Sequence, residues 1–365
     1  QCLPYEEIGF DTVVFDEASQ IPPAEAASAL LRADQAIVAG DTKQLPPTRF
    51  FESDLGSESD LESVLDEAAA VLPTRSLSWH YRSRSPSLIA FSNERYYDGR
   101  LRAFPERTDG DSSPLSFEYV ADGVYHRGSS RQNHVEAKRV ADIVTGHAEN
   151  RPDDSLGVIA FSRAQERAIR SELADRRTRN PRLDDFLSRS DVQEEPFVKS
   201  LEVVQGDERD RIVFSVGYGP DKDGDVTMNF GPLNQSGGHR RLNVAITRAR
   251  HEVTVVSSIK PEEIDPPGSS RGVADFKRYL ALVRDADEGR ETGLSPDETA
   301  SSDEPSSPLA ADVYETLTDA GLPVTTGVGD AFDMVVRDPA DRDQSLLGIE
   351  IDGTLARRCS STRER

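Results

Sequence analysis

Short apolar runs alternate with amphipathic segments over the first 72 residues. The run from Thr12 to Phe15 predicts a buried strand that ends at two carboxylates, Asp16 and Glu17. The next segment, AEAASALLR, predicts a helix, and QAIVAGD predicts a second strand before a loop with paired prolines. Because a strand, a helix and a strand in this order form a parallel βαβ unit, we expect functional loops at the C-terminal ends of the strands.

The same alternation continues from about Arg75 to Ile259. Its predicted helices are HVEAKRVADIVTGH, RAQERAIRSELADRR and RRLNVAITRAR, and its predicted strands are LGVIAFS, RIVFSVGYG and EVTVVSS. The fold class predicted for the chain is therefore α/β, with parallel sheets.

A change of composition separates these two blocks from a third. Residues 285–307 are acidic, rich in Ser and Pro and almost free of large apolar side chains, which is typical of a flexible linker. After it, AADVYETLTDAG predicts a helix, and AFDMVVRD and SLLGIEIDG predict two strands joined by a turn. We therefore expect domains over residues 1–73 and 74–284, a linker over 285–307 and a partial α/β unit over 308–365.

Composition narrows the class of protein. The chain carries 66 acidic and 43 basic residues, a net charge of −23, which ordinarily argues against a polyanionic partner. Only six of the basic residues are lysine, however, and an acid excess with so little lysine is typical of proteins adapted to high salt. At about 1 M salt the Debye length is about 3 Å, so local arginine clusters matter more for binding than net charge.

The chain shows no targeting pattern and no cysteine framework. Its two cysteines, Cys2 and Cys359, lie at opposite ends and form no metal-ligand spacing. There is no secretory signal and no apolar run of about 18 residues, so the sequence predicts a cytoplasmic protein without a membrane partner. The opening QCLPYEEIGF has no initiator Met, and we expect the chain to be a piece of a longer protein.

Two strand ends carry the candidate chemistry. Asp16 and Glu17 end the first strand, and the segment GDTKQLPP, residues 40–47, follows the second. An acidic pair alone is better explained as the start of a turn. A carboxylate at a strand end is also where nucleotide hydrolases hold Mg²⁺ and orient water. The combination of DEASQ with GDTKQLPP is the more specific observation.

These two segments and three others resemble the motifs of superfamily 1 helicases. DEAS resembles motif II and GDTKQLPP motif III, while WHYRS (79–83), VQGDERD (204–210) and LNVAITRAR (242–250) resemble motifs IV, V and VI. Surface ion pairs or a plain amphipathic helix could explain single pieces, but not five in the family's order. The resemblance spans about Phe10 to Ser258 and is closest to the Upf-like branch. It implies two RecA-like domains, ATP with Mg²⁺, and single-stranded DNA or RNA as partner, without distinguishing these nucleic acids.

The resemblance implies catalytic roles for five residues. Asp16 would bind the Mg²⁺ that accompanies ATP, Glu17 would be the base for the attacking water, and Gln44 would reach the γ-phosphate. Arg82 and Arg248 would contact the phosphates from the second domain. Arginine suits this role because its planar, permanently charged guanidinium matches phosphate oxygens.

Further residues are implied in binding. Tyr81 would pack near the adenine, Gly206 would let the backbone approach nucleic acid, and Glu208 would accept a ribose hydroxyl. Candidate nucleic-acid contacts are His80, Arg209 and Arg211. Residues that recur in the family are Asn133, Glu136 and Gln165; for Glu136, a solvated helix face and a role in the cleft between the domains are both open.

One motif of the family is absent from the 365 residues. No Lys follows a Gly, so the phosphate-binding loop GxxxxGK[ST] is missing. That loop supplies the backbone cradle and the Lys that hold the triphosphate, and we expect it, with the rest of the first RecA-like domain, N-terminal to residue 1. The chain alone is therefore predicted to hydrolyse ATP poorly or not at all. The alternative is a nucleic-acid-binding or regulatory remnant without ATP turnover.

The third block contains a second candidate metal site. Adjacent strands would bring Asp333, Glu350 and Asp352 together as oxygen ligands for a nuclease Mg²⁺, although a polar strand face ending in an Asp-Gly turn explains the same residues. GVGDAFDMVV and LLGIEIDG resemble very-short-patch-repair-like endonuclease domains of the restriction-endonuclease fold. That family tends to have Glu at position 310 and Tyr-His at positions 356 and 357, where this chain has Ala, Ala and Arg. Nuclease activity is therefore a hypothesis without an evident general base.

Overall fold

The computed structural model describes residues 9–47, 63–103, 113–189, 194–268, 270–290, 308–328, 332–339 and 345–349. Its first unit consists of β1 (Phe10–Phe15), α1 (Pro23–Leu30), β2 (Ala33–Val38) and α2 (Val64–Val71). β1 and β2 pair in parallel, as the βαβ pattern predicted. Pro23 begins α1 where a missing N–H costs nothing, and a capping box between Ser63 and Asp66 begins α2.

The second unit is larger and contains the main core. Its elements are β3 (Trp79–His80), α3 (Pro86–Tyr96), β4 (Arg102–Ala103), β5 (Leu115–Tyr119), α4 (His134–Asn150), β6 (Leu156–Ala160), α5 (Arg163–Arg177), α6 (Pro181–Leu187), β7 (Phe197–Ser200), β8 (Arg209–Ser215), α7 (Gly238–Ile246), β9 (Ala249–Ser257) and α8 (Arg271–Asp287). Five strands form a parallel sheet in the order β5-β9-β8-β6-β7, which confirms the predicted α/β class.

Both faces of this sheet are covered, as parallel sheets require. One buried cluster joins α3, α7 and α8 to the sheet through Phe91, Phe214 and Phe276, and a second joins α4, α5 and α6 through Val140, Ile169 and other residues. Every residue of β6 is buried. This accounts for the continuous apolar run in LGVIA, which has no polar alternation. Among the helices that the structure describes, none is both long and apolar enough to cross a bilayer.

The third unit contains α9 (Pro308–Asp319) and the antiparallel strands β10 (Val324–Val328), β11 (Phe332–Arg337) and β12 (Ser345–Ile349). The two predicted strands are therefore adjacent, with Met334 opposite Ile349, and β10 is an additional strand. Asp333 lies on β11, while Glu350 and Asp352 lie outside the described residues. The candidate nuclease metal site thus stays a prediction.

Two predicted boundaries in the second unit were wrong. The helix predicted over RRLNVAITRAR ends at Ile246, because the Thr247 hydroxyl donates to the carbonyls of Asn243 and Val244, each at 3.1 Å, and Ala249 already pairs with β8. Arg248 is therefore in a turn, not on a helix face. In addition, α8 continues to Asp287, three residues into the segment predicted as a linker.

Candidate functional site

The C-terminal ends of β1 and β2 meet the N-terminal ends of β8 and β9 in a cleft between the first two units. Gln205, just before β8, donates from Nε2 to Oε2 of Glu17 at 3.3 Å. Asn243 on α7 donates from Nδ2 to the carbonyl of Lys43 at 3.1 Å. These contacts bring together DEASQ, GDTKQLPP, VQGDERD and LNVAITRAR, although the first and last of these segments are more than 200 residues apart.

The turn after β1 presents its two carboxylates to this cleft. Glu17 has the left-handed backbone angles φ 51° and ψ 37°, which cost a residue other than Gly about 1 kcal/mol or more. Its N–H donates to Oδ1 of Asp16 at 2.9 Å, and Asp16 is exposed. Gly40 makes the turn possible, since a Cβ there would lie 2.9 Å from the backbone nitrogen of Ser19. This strained turn at a strand end is typical of a functional site.

The loop after β2 is organised by Asp41. Oδ1 of Asp41 accepts the N–H of Lys43 at 2.8 Å, and Oδ2 accepts Nε2 of Gln44 at 3.1 Å and the hydroxyl of Tyr97 at 2.6 Å. Asn243 in turn donates to the Tyr97 hydroxyl at 3.0 Å. Burial and the charge of Asp41 raise the pKa of Tyr97, so its hydroxyl stays protonated. Tyr97 and Asn243 therefore connect the loop that carries Gln44 to the second unit.

Within the second unit, the segment that carries Arg82 is hydrogen-bonded to the segment that carries Arg248. Nη1 of Arg82 donates to the carbonyl of Thr247 at 3.4 Å. The Ser83 hydroxyl donates to the carbonyl of Ala249 at 3.2 Å, and the Arg84 N–H donates to the carbonyl of Arg250 at 2.7 Å. The segment that follows β3 is therefore hydrogen-bonded to the turn before β9 and to the first residues of β9. This places Arg82 beside Arg248.

Arg248 is a buried charge whose own bonds go to neutral acceptors. Only 1% of the residue is exposed. It donates from Nε to the carbonyl of Val244 at 2.7 Å, from Nη2 to the Thr247 hydroxyl at 3.0 Å and from Nη1 to the carbonyl of Asp207 at 3.3 Å. Burial, then the neighbouring Arg82, lower the pKa of Arg248 to about 10, and the charge of Glu17 opposes this shift. The side chain stays charged at neutral pH, and an anion in the cleft would compensate that charge.

The polar groups that line the cleft fit a nucleotide with Mg²⁺. Three amide oxygens here, Oε1 of Gln44, Oε1 of Gln205 and Oδ1 of Asn243, are buried and have no donor among the described residues. Buried acceptors normally receive a hydrogen bond, so a ligand hydroxyl or water has places to bind. Within the described ranges, no three His, Cys, Asp or Glu side chains could hold a metal by themselves. The single exposed carboxylate of Asp16 suits Mg²⁺ that is also bound by phosphate oxygens.

The predicted binding residues have different surroundings. Tyr81 is 73% exposed. Gly206 has φ +83°, and apart from its chain neighbours no described residue has an atom within 4 Å of the position a Cβ would take, so a ligand backbone can approach it. Glu208 is already engaged, because Oε2 accepts Nε of Arg82 at 2.5 Å and Oε1 accepts Nη1 of Arg250 at 3.2 Å.

The three candidate nucleic-acid contacts instead have internal partners. Nε2 of His80 bonds the Ser83 hydroxyl at 2.9 Å. Arg209 is 9% exposed and lies over the Phe197 ring at 4.8 Å. Arg211 forms ion pairs with carboxylates of the same unit. Each of these three side chains thus already has a partner within the protein, and a nucleic-acid contact stays a prediction for them.

Glu136 lies neither on a solvated face nor in the cleft. It is 0% exposed and accepts hydrogen bonds from the Ser215 hydroxyl at 2.7 Å, the Gly217 N–H at 2.6 Å and the Ser258 hydroxyl at 3.2 Å. These donors follow or end β8 and β9, at the edge of the sheet opposite the cleft. Asn133 and Gln165 are buried in the same network, linked by a 2.9 Å bond from the Asn133 N–H to Oε1 of Gln165. The network fixes the loops at the C-terminal edge of the sheet.

The substitution Glu136→Gln is expected to change how stability depends on pH. Burial raises the pKa of Glu136 from 4.5 to about 7, against the bonds from Ser215 and Gly217. At pH values between 4.5 and about 7, Glu136 holds a proton in the folded protein that it has lost in the unfolded chain. Its contribution to the free energy of unfolding therefore falls as pH rises. The difference between pH 5 and pH 8 should be of order 3 kcal/mol, at about 1.4 kcal/mol per pKa unit, and should be lost in the variant. Urea unfolding of both proteins measures it.

The control for this experiment is Glu149→Gln, because Glu149 is exposed on the same helix. It should keep the pH dependence of the parent. Equal pH dependence in the parent and Glu136→Gln would contradict the prediction.

Comparison with known proteins identifies the family of the chain. Two family profiles described as AAA domain match residues 3–52 and 57–260. The chain is 38% identical over 280 residues to the uncharacterized ATP-dependent helicase MG140 of Mycoplasma genitalium, covering 72% of this chain and 24% of that protein. It is 28% identical over 291 residues to DNA polymerase alpha-associated DNA helicase A of Saccharomyces cerevisiae, covering 69% of this chain and 38% of that protein. It thus spans well under half the length of both relatives.

Among solved structures, the C-terminal domain of a possible DNA helicase from Lactobacillus plantarum is 16% identical with a TM-score of 0.30, covering 55% of this chain and 96% of that one. The second AAA-domain profile alone covers more than half of the chain and includes the segments of both site arginines. The chain therefore belongs to the AAA-domain family of superfamily 1 helicases.

Proposed function

We propose that this chain supplies part of the ATP site of a motor that moves on single-stranded nucleic acid. The observation that carries the proposal is the cleft in which Glu17, from the first unit, lies against Gln205 and near the buried charge of Arg248, from the second unit. A water-activating carboxylate and a phosphate-binding guanidinium on separate units are what ATP hydrolysis coupled to domain closure needs.

The first unit would activate the attacking water. Glu17 is placed to accept the proton of that water, and Gln20 and Gln205 hold its Oε2 by bonds of 3.3 Å each. Gln44, tethered to Asp41, would position the water or the γ-phosphate. Asp16 would hold Mg²⁺, which when bound neutralises charge on the phosphate oxygens.

The second unit would stabilise negative charge on the phosphates. Arg248 is already desolvated, so its interaction with a phosphate is not weakened by surrounding water. Arg82 is bonded to the same body and would act beside it. Because both arginines come from the second unit, hydrolysis would require the cleft to close.

Three further residues would bind the rest of the ligands. Tyr81 is exposed and offers a ring for the adenine. Gly206 allows close approach of nucleic-acid backbone. A carboxylate has about four acceptor sites, and Arg82 and Arg250 each use one on Glu208, so this side chain can still accept a ribose hydroxyl.

We further propose that the phosphate-binding loop belongs to residues outside these 365, in the same longer polypeptide. For the third unit we propose a nuclease-like domain, on its sequence resemblance and on the adjacent strands β11 and β12.

The test compares two proteins. One is the 365-residue chain, and the other is a longer polypeptide from the same reading frame that contains GxxxxGK[ST]. We expect turnover of ATP only in the longer protein, stimulated by oligo-dT or oligo-U, because without the loop the triphosphate is not held. Salt must be varied in both, since phosphate contacts weaken steeply with salt.

Two results would oppose this proposal. A longer protein that binds single strands without turnover would indicate a remnant that no longer uses ATP. Turnover by the given chain, abolished by Glu17→Gln, would show that the phosphate loop is not needed.

A further inference from the structure

Arg250 is the most extensively bonded arginine near the cleft, and none of the proposed catalytic roles uses it. It is the second residue of β9, and 19% of its side chain is exposed. Nε donates to Oδ1 of Asp210 at 2.9 Å, Nη1 to Oε1 of Glu194 at 2.5 Å and to Oε1 of Glu208 at 3.2 Å, and Nη2 to the Ser155 hydroxyl at 3.2 Å and to Oε2 of Glu194. With all five of its N–H donors occupied, this guanidinium is not available to a ligand, whereas Arg248 uses three of its five.

Glu208 joins Arg250 to Arg82. Its Oε1 accepts from Arg250, and its Oε2 accepts Nε of Arg82. Burial raises the pKa of Glu208, but the hydrogen bond and charge of Arg82, together with Arg250, outweigh this and hold it below the ordinary value. The carboxylate therefore stays ionised between the two guanidinium groups.

Arg82 needs such a partner, because it lies near a second cation. The charges of Arg82 and Arg248 are close enough for each to disfavour protonation of His80, and Arg82 also lowers the pKa of Arg248. Like charges repel, so an unrestrained Arg82 would turn away from Arg248. Glu208 binds Arg82 through Nε, and among the described residues its terminal nitrogens make a single weak bond, 3.4 Å to the Thr247 carbonyl. These two terminal nitrogens are the ones through which a guanidinium binds a phosphate by two parallel hydrogen bonds.

We propose that Arg250 is a positioning residue that acts through Glu208 to hold Arg82 beside Arg248, with its terminal nitrogens free for a phosphate. Alone, Glu208 could turn about its side-chain bonds and follow Arg82. Arg250 is itself anchored to β8 by Asp210 and to the segment before β7 by Glu194. Glu208, held by Arg250, is therefore a fixed acceptor for Arg82. The inference rests on the proposed function for the identity of the anion, but the restraint on Arg82 is a property of the chain itself.

The restraint can be measured without nucleotide, on the full 365-residue chain labelled with ¹⁵N at arginine Nε. The Arg82 signal is the one lost in Arg82→Lys. We expect Arg250→Gln to speed hydrogen exchange at the Arg82 Nε–H about tenfold, because loss of a charge-assisted hydrogen bond opens the group to solvent. Glu208→Gln should have a similar effect, and the double variant should add little to either.

Arg176→Gln is the matched control. Arg176 lies on α5 of the same unit, its side chain is 23% exposed, and it also pairs with two carboxylates, Asp142 and Glu172. It makes no bond to Glu208. A loss of ion pairs that merely destabilises the unit would affect both variants, whereas only Arg250→Gln should change Arg82. If Arg250→Gln does not fold, Arg250→Lys keeps the charge but not the fork and should give a smaller acceleration.

Kinetics in the longer, ATP-hydrolysing protein supply the second measurement. Arg250→Gln should lower kcat about tenfold and change KM for ATP less than about twofold, since positioning of Arg82 matters most when charge develops on the phosphate. Arg176→Gln should leave both kcat and KM near the parent values.

Unchanged exchange at Arg82 in folded Arg250→Gln overturns the inference, and so does faster exchange with an unchanged kcat. Absence of turnover in the unsubstituted longer protein is a different result. It refutes the proposed function, and the exchange measurement then decides alone whether Arg250 restrains Arg82.

Discussion

Replacement of Arg248 by lysine is expected to lower ATP hydrolysis by about 10³-fold or more in a polypeptide that contains this chain and a phosphate-binding loop. Lysine keeps the charge but has a single ammonium group, which cannot replace three nitrogens that bond Val244, Thr247 and Asp207 and still face a phosphate. The loss should appear mainly in kcat, measured by phosphate release at saturating ATP.

The control for Arg248→Lys is Arg139→Lys. Arg139 pairs with Glu118 on a partly exposed surface of the second unit, away from the cleft. It should retain the parent rate, and the unfolding temperature of both variants should be checked. A loss smaller than about tenfold in folded Arg248→Lys would show that Arg248 does not stabilise the phosphates in the transition state.

Glu17→Gln is expected to lower kcat by about 10² to 10⁴-fold while ATP still binds. The amide has the shape of the carboxylate, and its oxygen can still accept from Gln20 and Gln205, so the turn after β1 should be preserved. What the amide cannot do is take a proton from water. The comparison of kcat with the affinity for a fluorescent ATP analogue separates these two effects.

Glu25→Gln is the control in the same unit, because Glu25 is exposed on α1. It should behave as the parent. If Glu17→Gln weakened ATP binding as much as hydrolysis, Glu17 would be a ligand-binding residue instead of the base.

The local parts of this site could be predicted from sequence. The apolar run before Asp16 and the Gly-Asp turn after β2 each depend on neighbouring residues, and both lie at the expected strand ends. Because parallel strands place their C-terminal ends at one edge, the juxtaposition of DEASQ with GDTKQLPP followed from the βαβ pattern.

The partners of these residues could not be predicted in the same way. Arg82 and Glu208 are 126 residues apart, and Tyr97 and Asp41 are 56 apart. No periodicity or turn residue reports such pairs, since the first forms only when distant segments of the second unit pack and the second only when the first two units pack. The predicted end of α7 was also wrong because of a distant contact. Pairing of Ala249 with Arg209 of β8 competes with helix propensity.

One of these contacts has a signal in the sequence. Asn243 is the single polar residue in the run Leu242–Ile246, and a polar side chain on an otherwise apolar helix face usually has a buried partner. Its contacts with Tyr97 and Lys43 are those partners. Tyr97 itself, at the end of α3, has no comparable sequence signal.

The bonds from Ser83 and Arg84 to Ala249 and Arg250 have a mechanical consequence. They tie the chain around Arg82 to the chain around Arg248, so we expect these two residues to move toward a bound nucleotide together when the angle between the first two units changes. Nucleic acid bound across both units would then alter the rate of hydrolysis by altering this angle, without touching ATP.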